Sequence, residues 1–210
     1  MGSNNNYKTQ QEEFWAGNFG DEYVERSNGA EMVAGRLYMF SQILRLTKGI
    51  KGFIEFGPNV GLNMIALHQL MPNAELHAVE INSAAVEELR KLKYVKTYHQ
   101  SLLESDFVNV ADFSFCSGVL IHVNPDELPK AYDLLYKSSR KYIMVNEYFN
   151  PSPMMMDYRG HKERLYKRDF AGEILDRFPD LELVDYGFIY RRDANFAQDD
   201  TNWFLLEKTA

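Results

Sequence analysis

Phe53-Ile54-Glu55-Phe56-Gly57-Pro58-Asn59-Val60-Gly61 joins a short apolar run to a loop that carries an acid and two glycines. The run has the length of a buried strand, and a glycine-bearing turn is how such a strand enters a helix in an α/β sheet. Without a Cβ, the backbone at these places can lie directly against a ligand. A dinucleotide-binding Gly-x-Gly-x-x-Gly would need glycines two and five residues after Gly57, where the chain has Asn59 and Leu62. NAD is therefore disfavoured.

Downstream, Ala74-Glu75-Leu76-His77-Ala78-Val79-Glu80 reads as a second buried strand ending in an acid, 19 residues beyond Gly61. A carboxylate at the tip of the neighbouring parallel strand can accept both ribose hydroxyls of an adenosine-containing cofactor. An ordinary strand-to-helix turn and a solvated strand end are the plain alternatives for these residues. Glu55 two residues before Gly57, with Gly61 four after it, resembles motif I of the class I S-adenosylmethionine-dependent methyltransferases, with Asn59 in place of the middle glycine. The resemblance implies S-adenosyl-L-methionine as cofactor. Glu55, Gly57, Asn59 and Gly61 would then form its loop, and a branched side chain at Gly61 is expected to abolish binding while leaving the domain folded.

The rest of the chain alternates in the way such a sheet requires. Residues 7–48 look mainly helical, with Phe14, Trp15, Phe19 and Tyr23 ahead of an amphipathic segment over residues 31–46. Strands are expected at 53–56, 75–80, 94–98, 112–119 and 141–148, with helices at 61–70, 83–92 and 125–138 and a helix or loop at 101–109. The helix over 125–138 is opened by Asn124-Pro125-Asp126-Glu127, with proline in its first turn. A helix at 169–177 and strands at 181–190 and 202–208 close the chain. This predicts a single domain over 1–210: a helical cap at 1–48 and a Rossmann-like core at 49–210, with an insertion at about 150–168. The core is a seven-stranded, mostly parallel sheet with helices on both faces and an antiparallel last strand, which is also the sheet that the methyltransferase resemblance implies.

Bulk composition fits one enzyme domain acting on a small substrate. The 23 Lys and Arg against 30 Asp and Glu give a net charge of −7, and 45% of the residues are hydrophobic. Such a surface repels nucleic acid, no apolar run reaches transmembrane length, and the composition is not that of a disordered chain. Cys116 is the single cysteine, so neither an internal disulfide framework nor a cysteine metal cluster is available, and no metal site is expected. The opening Met1-Gly2-Ser3-Asn4-Asn5-Asn6 lacks the apolar core of a secretory signal, which leads to an expectation of a cytoplasmic protein.

Ligands of such sheets lie beyond the carboxyl ends of the parallel strands. After the third strand the methyltransferase resemblance makes Ser101 and Leu102 the adenine contacts, although Ser101 can equally be a helix N-cap. His122, after the fourth strand, is a pocket-lining residue, a base or a satisfied core histidine; Glu147 and His161 are the other candidates for proton transfer. Asn146 and Tyr148, after the fifth strand, face a substrate or solvent. Trp15 and the other cap aromatics, with Arg36, would close over the cofactor or pair with its carboxylate, and Ile81 and Gly118 complete its expected contacts. The segment Tyr158-Arg159-Gly160-His161-Lys162-Glu163-Arg164-Leu165-Tyr166-Lys167-Arg168 concentrates positive charge. It is either a mobile loop whose Arg159 and Arg164 bind an anionic substrate, or a solvated charged helix face.

The chain from about residue 12 to 208 resembles the methylases associated with pseudaminic acid biosynthesis. The resemblance is carried by Phe14-Trp15-Ala16-Gly17-Asn18-Phe19-Gly20-Asp21-Glu22-Tyr23 with Arg26, Glu55 to Asn63, Gly118 to Pro125, Tyr158 to Arg164, and Asn202-Trp203-Phe204-Leu205-Leu206. Asn59 belongs to that family's pattern. The resemblance implies methylation of a nonulosonic acid or a related nucleotide-activated sugar used on flagellin or surface polysaccharide, hence a small anionic sugar as partner. Another small metabolite or a protein side chain as acceptor, and a cofactor-binding protein without turnover, remain open.

Overall fold

A computed structural model describes residues 7–26 and 30–209. The hexapeptide on which the secretory-signal expectation rests lies outside the described residues, as does that part of the expected cap. Nine strands are described: β1 (Gly52–Phe56), β2 (Glu75–Glu80), β3 (Val95–His99), β4 (Ala111–Ser117), β5 (Ser139–Glu147), β6 (Met154–Tyr158), β7 (His161–Lys167), β8 (Leu181–Phe188) and β9 (Asn202–Lys208). Seven form one sheet in the order β3-β2-β1-β4-β5-β9-β8. β1 to β5 pair in parallel, and β9 runs antiparallel between β5 and β8. This is the sheet expected from the sequence.

Alternation along β1 decides what each face of the sheet carries. Ile54 and Phe56 point into a core built with α6 (Leu128–Ser138) and α7 (Phe170–Arg177). Phe53 points the other way, into a core shared with α3 (Ala30–Leu44) and α4 (Leu62–Leu70), where Phe40, Ile43, Met64 and Leu67 are wholly buried. A period of two places Glu55 on that second face, under α3 and α4. Burying Phe, Ile and Leu side chains on both faces contributes roughly 1.5–3 kcal/mol each, so the strand is fixed in register and the acid is held in an apolar setting.

The cap consists of α1 (Gln10–Ala16), α2 (Asn18–Arg26) and α3. Thr9 opens α1 with a capping box: its hydroxyl accepts from Glu12 N at 3.1 Å, and the Glu12 carboxylate accepts from Thr9 N at 3.0 Å. The remaining helix of the core is α5 (Ser83–Leu89).

The segment over 101–109, expected as a helix or loop, is a loop with a 3-10 turn at Leu102–Glu104. One expectation needs correction. The insertion at 150–168 is neither a loop nor a charged helix face but a two-stranded antiparallel hairpin, β6 and β7, turned at Arg159-Gly160. Its strands escape the usual reading because Met154, Met155 and Met156 are all exposed, so β6 shows no apolar–polar alternation.

Candidate active site

A cavity opens beyond the carboxyl ends of β1, β2 and β4, roofed by α1 to α3 and edged by the β8–β9 connection. Its floor is the β1–α4 turn. Gly57 adopts φ 73°, Asn59 φ 51° and Gly61 φ 85°, a left-handed region that glycine enters freely and asparagine tolerates. The turn is tied down on both sides: Gly57 N donates to Val79 O at 2.9 Å, and Asn59 N donates to the Glu80 carboxylate at 2.9 Å.

Glu80 also accepts from Ile81 N and Asn82 N, both at 2.8 Å on Oε1, so Oε2 retains room for another donor. Glu55 is 0% exposed, and Asn63 Nδ2 donates to its Oε1 at 2.5 Å. Among the described residues its Oε2 is buried without a partner. Burial pushes this carboxyl up to about 8, against the opposing pull of Asn63 and of the Arg36 guanidinium. Arg36, whose own basicity burial lowers, donates to Met32 O at 2.7 Å. An unpaired buried acceptor costs about 1–3 kcal/mol, so Glu55 Oε2 at the cavity floor calls for a donor.

At the far end, Ser101 caps the 3-10 turn, accepting from Leu103 N at 3.0 Å, while its hydroxyl donates to Glu12. Asn82 pins the roof: its Nδ2 donates to Trp15 O at 3.2 Å and to Asp21 at 2.8 Å. Trp15 lies against His122 (4.6 Å between centroids) and Tyr23 (5.4 Å), with its indole nitrogen buried and unpartnered among the described residues.

No protein-family model and no curated sequence matches the chain. Solved structures do. A 1,6-didemethyltoxoflavin-N1-methyltransferase from Burkholderia thailandensis, crystallised with 1,6-didemethyltoxoflavin and S-adenosylhomocysteine, aligns over 100% of this chain and 92% of its own at a TM-score of 0.71 and 13% identity. A magnesium protoporphyrin IX methyltransferase from Synechocystis, with bound S-adenosylmethionine, aligns over 97% and 100% at 0.64 and 16% identity. An S-adenosylmethionine-dependent methyltransferase from Clostridium acetobutylicum aligns over 92% and 100% at 0.63 and 10% identity. The fold is that of class I methyltransferases.

On this fold, Trp15, Arg36, Glu55, Gly57, Asn59, Glu80, Ile81, Ser101, Leu102 and Gly118 all line the cavity, and Gly61 alone of the expected cofactor contacts does not. A Cβ at Gly61 would sit 2.8 Å from Leu89 Cδ2 and 2.9 Å from Leu92 Cδ1. The position faces α5 and its following turn, and its substitution strains the packed core instead of obstructing a ligand.

The expected chemical residues divide more sharply. His122 lines the cavity, but burial lowers it to about 4, and its Nδ1 is spent on Arg164 O. It is a weak base at neutral pH. Glu147 lies outside the cavity lining: its carboxylate accepts from Val119 N at 3.0 Å, Leu120 N at 3.1 Å and Ile121 N at 3.3 Å, fixing the turn that carries His122. His161 is exposed on β7, against Phe14 and Phe19.

Asn146 lines the cavity, with Nδ2 on Ser117 Oγ at 2.9 Å and Oδ1 unpartnered among the described residues, whereas Tyr148 is outside it, under Lys167. Arg159 is exposed in the hairpin turn, within electrostatic reach of Tyr23. Arg164 is occupied elsewhere, donating to Lys162 O, Glu163 O and Gln10 Oε1 and lying over Phe14 at 5.4 Å.

Sequence reasoning missed Gln11, Glu12, Gln198 and Asp199, all of which line the cavity. Thr9-x-x-Glu12 ahead of Phe14-Trp15 is a capping-box pattern that marks Glu12 as an ordered helix start. Nothing in the stretch Asn195 to Asp200 distinguishes Asp199 from Asp200. Among the described residues no helix is long and apolar enough to cross a membrane.

Proposed function

We propose that this protein transfers the methyl group of S-adenosyl-L-methionine to a small anionic sugar, a nonulosonic acid or a nucleotide-activated relative, in the cytoplasm. The observation that carries the cofactor assignment is the buried, unpartnered Oε2 of Glu55 on the cavity floor, with Arg36 beside it. One carboxylate and one guanidinium match the ammonium and carboxylate of a zwitterionic amino-acid end. Glu80, with acceptor capacity left on Oε2, matches a ribose. When bound, the cofactor supplies an electrophilic methyl carbon on a sulfonium.

The chain's own contribution is to hold and to exclude. Glu55 and Arg36 anchor one end, and Ser101 and Leu102 line the other. Trp15, Tyr23 and His122 form an aromatic wall that keeps water from the reacting atoms. Holding two reactants in line contributes most of the acceleration in such a displacement, so a base is needed only for the acceptor's proton. Asp199 suits that role better than His122, Glu147 or His161. It edges the cavity, within electrostatic reach of Tyr23 and Arg36, and its carboxylate makes no hydrogen bond among the described residues.

Support for the acceptor class comes from the resemblance to the pseudaminic acid-associated methylases and from the exposed Arg159 near the mouth. The test is product mass spectrometry with S-adenosylmethionine and a panel of sugar acids, nucleotide sugars and neutral sugars. A gain of 14 mass units on a sugar acid or its nucleotide conjugate is the expected result; methylation confined to other acceptors overturns the substrate class.

A further inference from the structure

The end of the cavity lined by Ser101 and Leu102 also holds Gln11 and Glu12 from α1, whose side chains leave acceptor capacity unused. Both residues are buried, at 7% and 8% exposure. The Glu12 Oε2 accepts from Thr9 N at 3.0 Å and from the Thr9 hydroxyl at 3.3 Å, and Oε1 accepts from the Ser101 hydroxyl. A carboxylate oxygen takes two donors, so Oε1 has one place left.

The orientation of Gln11 is fixed by its surroundings. Its Nε2 lies 3.2 Å from Glu163 O, which can only accept, and 3.4 Å from the Tyr166 hydroxyl. The amide oxygen is thereby the atom left over, buried with no partner among the described residues. Two consecutive residues of one helix, both in the cavity lining beside Ser101, thus carry acceptor oxygens that no donor among the described residues answers fully.

We propose that Gln11 and Glu12 read the exocyclic amino group of the cofactor's purine, so that the N-terminal cap, not only the sheet, sets cofactor specificity. This rests on the methyltransferase reading above. An amino group offers two N–H donors to two acceptors. A purine bearing an oxo group at that position brings a third acceptor against them and leaves both unpaired, which is the arrangement by which a polar site rejects a near-isostere.

Titration calorimetry of the full chain with S-adenosylhomocysteine and S-inosylhomocysteine tests the proposal. The unaltered protein should bind the adenosyl compound at least about tenfold more tightly. In E12Q, glutamine can still close the capping box through its oxygen, which turns an NH2 donor toward the purine, so the preference should shrink to about threefold or less. In Q11L, which leaves the capping box intact, the preference should also narrow. Equal affinity of the unaltered protein for the two ligands overturns the proposal while leaving the methyltransferase reading in place. A preference unchanged in both variants, with circular dichroism showing each folded, overturns it as well. Binding of neither ligand overturns both readings.

Discussion

Seating an ammonium group against Glu55 should drive a proton off the protein. The carboxyl is wholly buried, and burial pushes it up to about 8 although Asn63 and Arg36 favour its ionised form. At pH 7 a group titrating at 8 is roughly 0.9 protonated in the ligand-free protein. An ammonium in contact with Oε2 favours the carboxylate and pulls its titration below neutral. Binding of S-adenosylhomocysteine at pH 7 should therefore release about 0.9 proton, falling toward half a proton at pH 8. Affinity should rise with pH between 7 and 8, because the ionised form binds.

The sign for stability is opposite. A raised carboxyl favours the ligand-free fold fully below its ordinary value of 4.5, and that contribution is lost as pH climbs toward 8. Glu55→Gln keeps an oxygen for Asn63 and removes the titration, so both pH dependences should flatten. Affinity should fall by about 1.5–3 kcal/mol at pH 8, the usual worth of a hydrogen bond to a charged group. The assay is titration calorimetry in phosphate and in Tris, whose ionisation heats differ widely. Identical observed heats in the two buffers at pH 7, or equal proton release by the variant, would refute the assignment.

Other changes test neighbouring parts. Gly61→Val forces a branched residue to φ 85° and a Cβ to within 3 Å of Leu89 and Leu92, so it should cost roughly 2–4 kcal/mol; an unchanged melting curve contradicts this. Glu80→Ala strips the partner from three backbone amides and should weaken cofactor binding by about 1.5–3 kcal/mol, read by calorimetry against the unaltered affinity. His122 is held near 4 by burial, so the fold favours its neutral form above 6.5 and loses that contribution as pH falls toward 4. In His122→Phe the acid limb of the stability curve should be shallower, and an identical limb would rule His122 out as its source. Arg159→Met should cut kcat/KM for the acceptor about tenfold, while Arg164→Met should instead lower hairpin stability because its donors serve Gln10 and the backbone; the reverse outcome would exchange their roles.

The sheet was legible because its evidence is local. Glycines at 57 and 61 and apolar runs of strand length are properties of neighbouring residues, and the alternation of strands and helices follows from them. The turn between β1 and α4 was legible for the same reason. The hairpin was not, since three exposed methionines on β6 erase the alternation that announces a strand. Nor was the difference between Glu80 and Glu147. Both are acids at strand ends, and only the fold shows that one borders the cavity while the other is consumed by Val119, Leu120 and Ile121. Arg164 has the composition of a substrate clamp, yet its guanidinium is engaged across more than 150 residues of chain by Gln10. Such pairings arise from tertiary placement and leave no mark on spacing.

The ties that hold the roof bear on residence time. Asn82 grips Trp15 and Asp21, Ser101 grips Glu12, and the hairpin grips Gln11. Each of these bonds is worth about 0.5–1.5 kcal/mol, so together they should slow any lifting of the roof from a ligand held beneath it. On the function proposed above, release of a spent ligand should therefore quicken when these ties to the first helix are removed.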